Sequence, residues 1–232
     1  MIDKSTLELI KNPYKDIKIS IIIPSIDFVK FSKVIDTLSG NSPNCKHAEI
    51  LVKIDETIYA AQYENLLRNS IFAFKIMLYP SFNKRYSCLH FYNDLASIAS
   101  GDIIWQMPDD SAIVHGDWYK VLLNTRNTFS DNIYVISIPM DNGKGAKQII
   151  GAPAITKEWL NFFGCVSPMP NTDRWLHELP KNIGRRIVIK ESDLLMHFPE
   201  GGRVLSKKDR KELFFPAVEK YKTKFLQYSK SI

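Results

Sequence analysis

Cysteine is scarce in this chain and follows no pattern. Of 232 residues only Cys45, Cys88 and Cys165 carry a thiol; the number is odd, the spacing is wide and no CxxC occurs. That usage points to a reduced, cytoplasmic interior with buried thiols rather than a disulfide framework. No apolar run approaches the roughly 20 residues that span a bilayer. The opening stretch MIDKSTLELIKNPYKD is charged throughout and does not resemble a signal peptide. Internal repeats and low-complexity tracts are absent. Glycine is missing where a nucleotidyltransferase would want a phosphate loop, because Pro24-Ser25-Ile26-Asp27-Phe28 contains none. No DNA- or RNA-binding signature occurs either.

What the chain does contain is enough apolar material for a full core, 45% of its residues. Its formal charge of +6 favours an anionic ligand or surface, whether nucleotide phosphate, nucleic acid or acidic lipid. Apolar runs alternate with amphipathic stretches. Strands are predicted at Lys18 to Pro24, Glu49 to Ile54, Phe72 to Leu78, about Ile103 to Met107, Ile133 to Pro139, Ile149 to Ile155 and Arg186 to Ile189. Helices are predicted at Phe28 to Leu38, Tyr59 to Ser70, Ser87 to Ser100, Trp118 to Asn127, Thr156 to Phe163 and Thr172 to Leu179. Gly40 to Pro43 should break the first helix, and Gly101 should close the third. Alternation of this kind predicts an α/β fold with a mainly parallel sheet wrapped by helices.

The most informative stretch is Gly101-Asp102-Ile103-Ile104-Trp105-Gln106-Met107-Pro108-Asp109-Asp110-Ser111. An apolar strand runs directly into two adjacent carboxylates. Such a strand belongs inside a sheet buried on both faces. Its acids then stand at the rim where open α/β sheets bind ligands. Adjacent acids there can hold a divalent cation, and the cation a phosphate. Read alone, Asp109-Asp110-Ser111 is equally a turn or a cap for the following helix.

Three motifs in order carry a family resemblance. ISIIIPS, EILVKIDE and ASGDIIWQMPDDS resemble the family 2-type glycosyltransferases of the GT-A fold, whose usual forms are VSIIIPTYN, an acid after the second strand, and GDYILFLDDD. The resemblance covers roughly residues 18–120 in good order and residues 150–200 more weakly. It implies a Rossmann-like, mainly parallel sheet flanked by helices, with an irregular acceptor-side C-terminal half. Residues 1–16 would be an arm, 17–140 the nucleotide-sugar-binding half, 141–203 the acceptor and catalytic half, and 204–232 a basic helical tail.

By position, the resemblance implies that Asp55 bonds the donor's base, with a carboxylate suited to the ring N–H of uracil or guanine. Pro24 and Ser25 match the residues whose backbone lies along the nucleotide. Asp27 falls near the family's Asn, where a ribose or base contact is still open to it. Asn93 matches an Asn of the family's helix, although Tyr92 replaces the neighbouring Arg and Ser87 a glycine; Arg85 offers a cation to the diphosphate. Asp109 and Asp110 match the acidic pair, Asp110 as metal ligand for Mn²⁺ or Mg²⁺ and Asp109 toward the ribose or behind the metal. Pro108 replaces the first acid of the longer form.

His197 stands where some GT-A enzymes add a metal ligand, and imidazole suits Mn²⁺; packing beside apolar residues is the alternative. Asp173 is the expected general base, with Glu158 and Glu178 as substitutes, and helix capping is its alternative role. Trp175 would offer a platform to a sugar ring, and Glu200-Gly201-Gly202-Arg203 a lid over the diphosphate. The implied activity is metal-dependent inverting transfer from a nucleotide-diphosphate sugar, with UDP-sugars favoured. The acceptor would be the hydroxyl of a glycan or lipid-linked molecule in polysaccharide synthesis. The competing readings are a donor-binding protein without turnover and a basic nucleic-acid-binding protein. The Lys-rich tail reads either as a segment lying on the inner face of an anionic membrane or as a helix packed by its aromatics.

Overall fold

A computed structural model describes residues 16–54, 60–78, 88–141, 147–148, 152–169, 172–197 and 214–230. The expected N-terminal arm lies outside these residues. Strands β1 (Ile19–Ser25), β2 (Ala48–Ile54) and β3 (Ala73–Leu78) pair in parallel, and β4 (Ile103–Gln106) joins the other edge of β1, also in parallel. The sheet continues through β9 (Ala154–Thr156), β6 (Val135–Ser137) and β10 (Arg186–Val188), in the order β10-β6-β9-β4-β1-β2-β3. Among its described strands only β9 runs against its neighbours, β4 and β6. A mainly parallel sheet flanked by helices is therefore present, as the alternating pattern requires.

Burial on both faces explains the strands' composition. Ile19, Ile21 and Ile23 of β1 enter one core with Trp105, whereas Ile22 and Ile104 enter the other with Leu51. Helix α1 (Phe28–Asn41) covers the first core with Phe31, Val34, Ile35 and Leu38, spaced three and four apart along one face. Each such side chain is worth about 1.5–3 kcal/mol when fully buried. On the same side lie α2 (Ala60–Arg68) and α4 (Trp118–Leu123), and Trp118 donates its indole N–H to the Leu38 carbonyl at 2.9 Å. The second core holds α3 (Cys88–Ser97), α5 (Lys157–Phe163), α6 (Thr172–Asn182) and α7 (Phe215–Ser229).

Several boundaries differ from expectation. Helix α1 continues through the exposed Gly40 to Asn41, because nothing crowds that position. Helix α3 stops at Ser97, so Gly101 does not cap it. Gly101 is instead needed for close approach, since a Cβ there would lie 2.6 Å from the backbone nitrogen of Ser20. Its N–H donates to Ser20 Oγ at 2.8 Å, and Ser20 Oγ donates to Glu49 at 2.6 Å. Helix α4 is shorter than predicted. Between it and the acidic pair lies an unanticipated strand, β5 (Ala112–His115).

That strand belongs to a second, small sheet of order β5-β11-β7-β8, completed by β11 (Leu195–His197), β7 (Met140–Asp141) and β8 (Lys147–Gln148). Its strands have two to four residues, too short to impose a readable hydrophobic period. Residues 142–146, part of the expected basic loop, lie outside the described residues.

Candidate functional site

The sheet order brings the exits of β2, β1 and β4 side by side. Ser25 faces Ile54 across the β1–β2 ladder, and Ile22 faces Gln106 across the β1–β4 ladder. Met107 N–H then donates to the Ile22 carbonyl at 3.1 Å. The carboxyl ends of β1, β2 and β4 consequently share one rim, with Ser25 to Asp27 and Met107 to Ser111 leaving from it.

Asp109 and Asp110 occupy a turn closed by Ser111, whose Oγ and N–H donate to the Pro108 carbonyl at 2.7 and 3.3 Å. They do not cap the next helix; Asp117 does that for α4, accepting from the Lys120 N–H at 3.2 Å. Asp109 reaches across the rim, and its Oδ2 accepts the Ile26 N–H at 3.0 Å. One carboxylate thus fastens the β1 exit to the β4 exit. Ser25 is buried, and its hydroxyl shares a 2.9 Å hydrogen bond with Tyr63 of α2. Asp27 caps α1 by accepting the Lys30 N–H at 3.1 Å. Pro24 is half-buried in the last part of β1.

Asp110 is the electrostatically costly member of the pair. Half-burial and the neighbouring Asp109 charge raise its carboxyl above the ordinary value, opposed by Lys30. A cation beside these acids would offset that penalty. Divalent ions take one or two protein carboxylates together with phosphate oxygens, and an imidazole suits Mn²⁺. Among the described residues no group of three or more His, Cys, Asp and Glu side chains could hold an ion alone. The acid pair would therefore supply only part of an ion's coordination shell.

His197 lies within β11 rather than after the last strand. It pairs with Ala112, two residues beyond Asp110, and on its other side with Asp141. The small sheet is what pairs this late residue with the strand that follows the acidic turn.

Asp173 occupies the first turn of α6 and is exposed. Enough protein surrounds its carboxyl that desolvation still raises its pKa, against the bonds it receives from nearby backbone N–H groups. Surface exposure and desolvation coexist because a group can reach water while most of its surroundings are protein. Trp175 cannot serve as a sugar platform. It is 1% exposed, because the helical spacing of Trp175, Leu176 and Leu179 turns it into the core, edge-on to Tyr221 at 5.0 Å. Tyr92, in place of the family's Arg, is likewise a core residue. Asn93 uses its amide on the loop before α6: Oδ1 accepts from Val166 N–H at 2.8 Å and Ser167 N–H at 3.3 Å, and Nδ2 donates to the Ser167 carbonyl at 2.9 Å.

Asp55, Arg85 and the Glu200–Arg203 stretch lie outside the described residues, as do Lys207, Lys208, Arg210 and Lys211. Tyr63 and Lys30 were not anticipated at the rim. Each sits on a helix whose apolar spacing draws attention inward, and only the three-dimensional packing of α1 and α2 reveals them.

The described part of the tail, α7, buries Val218 and Phe225 and anchors Lys224 on the Phe162 carbonyl at 2.7 Å. Its aromatics pack against the domain, while Phe215 and Leu226 remain exposed. No helix among the described residues is long and apolar enough to cross a membrane.

No protein-family model and no curated protein sequence matches the chain. Solved structures match at the level of fold. Residues 1–349 of S. aureus TarS give a TM-score of 0.62 at 15% identity, over 79% of this chain and 60% of that one. TarS 1–349 in complex with UDP-GlcNAc gives 0.63 at 16% identity, over 89% and 65%. The mannosyltransferase PcManGT from Pyrobaculum calidifontis, in complex with GDP-Man and Mn²⁺, gives 0.58 at 11% identity, over 80% and 60%. The chain spans less than two thirds of the length of each of these matched chains. Its sheet order, flanking helices and these matches together establish that the chain has the GT-A glycosyltransferase fold.

Proposed function

We propose that this protein is a metal-dependent inverting glycosyltransferase that moves a sugar from a nucleotide-diphosphate sugar, a UDP-sugar by preference, to an acceptor hydroxyl. The observation that carries the reading is the Asp109–Asp110 turn at the β4 exit, fastened to the β1 exit and followed by a strand that pairs with His197. Its neighbours in fold support the substrate class: TarS binds UDP-GlcNAc, and PcManGT binds GDP-Man with Mn²⁺. The loops after β1 and β2 form the donor side, with Pro24, Ser25, Asp27 and Asp55 along the nucleotide. The resemblance puts Arg85 and Asn93 on the same side, whereas the amide of Asn93 is engaged with Val166 and Ser167.

Asp110 and His197 would hold Mn²⁺ or Mg²⁺, which when bound neutralises charge on the departing diphosphate. Asp109 keeps the β1 loop in place beside it. Asp173 accepts the proton of the acceptor hydroxyl as that oxygen bonds to the anomeric carbon. The bond from this carbon to the diphosphate breaks, and the nucleoside diphosphate leaves on the opposite face, so the configuration inverts. A raised pKa makes Asp173 a stronger base once ionised.

The acceptor is proposed to be a glycan or lipid-linked hydroxyl, used in polysaccharide synthesis. Work in the cytoplasm is supported by the free thiols Cys45 and Cys165. Peripheral contact with an anionic membrane face is supported by exposed Phe215 and Leu226 on a helix that also exposes Lys220 and is followed by exposed Lys230. A second reading, donor binding without turnover, draws on Pro108 in place of an acid and on Tyr92 in the core.

Nucleoside diphosphate release from a panel of UDP- and GDP-sugars, with Mn²⁺ and then with chelator, tests the proposal. Metal-dependent release from one donor class is expected. Nucleotide binding without release from any donor supports the second reading, and release unaffected by chelator contradicts the metal assignment.

A further inference from the structure

We infer that Asn93 is a positioning residue, which ties the donor-side helix α3 to the loop that carries α6 and Asp173. The inference rests on the proposed roles of the rim and of Asp173. Asn93 stands in the middle of α3, which follows residues 79–87 and covers β1 and β2 on the second core. Its amide pairs with Ser167 as one peptide group pairs with another. Nδ2 donates to the Ser167 carbonyl at 2.9 Å, and Oδ1 accepts the Ser167 N–H at 3.3 Å while also taking the Val166 N–H at 2.8 Å. Both lone-pair directions of the oxygen and one N–H are therefore in use. A carboxylate of the same shape could accept twice but could not donate, and an aliphatic side chain could do neither.

The anchored segment has little else of regular structure to hold it. Helix α5 ends at Gly164, whose left-handed conformation (φ 77°) turns the chain and whose N–H caps the Leu160 carbonyl at 2.8 Å. Val166 and Met169 then enter the second core, and the buried Ser167 hydroxyl donates to the Met169 carbonyl at 2.9 Å. Helix α6 begins at Thr172, with Asp173 next. Val166 and Ser167, which the Asn93 amide holds, precede the proposed base by seven and six residues. No repeating backbone ladder holds residues 165–169, so a side chain substitutes for one.

This assignment changes what Asn93 does in the reaction. A donor-contacting residue would govern donor affinity. A positioning residue governs the rate of the step in which Asp173 takes part, because misplacing a catalytic group by about 1 Å can cost ~100-fold. Coupling α3 to α6 also gives the donor side and the acceptor side a common reference frame.

The test compares Asn93→Ala, which loses all three bonds, with Asn93→Asp, which retains two acceptor positions and protects against the possibility that the alanine variant fails to fold. Amide hydrogen exchange of the full chain should show faster exchange at residues 164–169 and the first turn of α6 in both, more so in the alanine variant, with β1 and β4 unchanged. Hydrolysis of the preferred UDP-sugar in Mn²⁺ should show kcat lowered about tenfold or more in Asn93→Ala and less in Asn93→Asp, with donor KM unchanged. Raised donor KM with unaltered exchange at 164–169 would overturn the inference and restore Asn93 to the donor site. Wild-type protein that binds no nucleotide at all would count against the donor-site reading itself, and the exchange data would still decide the tether.

Discussion

The two ends of β4 are both built around acids, and they treat those acids in opposite ways. At the amino end Glu49 is buried, and its carboxylate receives the Ser20 hydroxyl at 2.6 Å, the Ser100 N–H at 2.7 Å and the Ser100 hydroxyl at 3.5 Å, with Lys75 at 3.9 Å. At the carboxyl end Asp109 and Asp110 stand together half-buried, and their mutual repulsion adds to desolvation in raising Asp110. A satisfied acid fixes a turn; a crowded, incompletely compensated one is available to a cation or ligand. The contrast separates a structural network from a candidate site without reference to any relative.

The sharpest way to break the contrast is to remove one acid from each end. Asp110→Ala should lower nucleoside diphosphate release by about 10³-fold or more, the scale of a lost transition-state stabiliser. Its folding stability should stay within about 0.5 kcal/mol, since it removes a repulsion. Retained turnover would place the ion elsewhere. Asp173→Asn should reduce kcat by about 10²–10⁴-fold while UDP binding persists. Because a base must be ionised, wild-type kcat should fall as pH drops through the Asp173 pKa. Desolvation puts that acid limb above the ordinary Asp value of about 3.9. A kcat profile flat across that range would contradict the assignment.

Glu49→Ala should do the reverse of Asp110→Ala. It strands the Ser20 and Ser100 donors beside Gly101, costing about 3 kcal/mol in chemical denaturation, with the folded fraction still binding UDP. A smaller effect is expected from Tyr63→Phe, which removes one hydrogen bond to Ser25, worth about 1 kcal/mol. Donor KM should rise modestly as the Ser25–Asp27 loop loosens. An unchanged KM would show that Asp109 alone is enough to hold the loop.

The same contrast explains what the chain made legible. β1, β2 and β3 were readable to within about a residue because strands buried on both faces are continuous apolar runs. Asp109 and Asp110 were readable because an acid pair ending such a run is conspicuous. The small sheet was not: β5 follows Asp109-Asp110-Ser111 and looks like the rest of a turn, and β7 and β8 have two residues each. The place of His197 within β11 was not readable, because pairing partners 85 and 56 positions away leave no local trace. Gly101 was given a helix-ending role when tertiary approach of Ser20 is what requires it. Trp175 shows the converse error, in which a residue type suited to sugars is held inward by the period of its helix.

The most direct measurement is the thermal stability of wild type and Asp110→Ala with UDP, in Mn²⁺ and in chelator. At about 100-fold excess over Kd, bound UDP should raise the wild-type melting temperature by about 5 °C or more in Mn²⁺. Most of that shift should vanish in chelator and in Asp110→Ala. An equal shift in all four conditions, or none in wild type with Mn²⁺, would contradict a metal-assisted nucleotide site at the β4 exit.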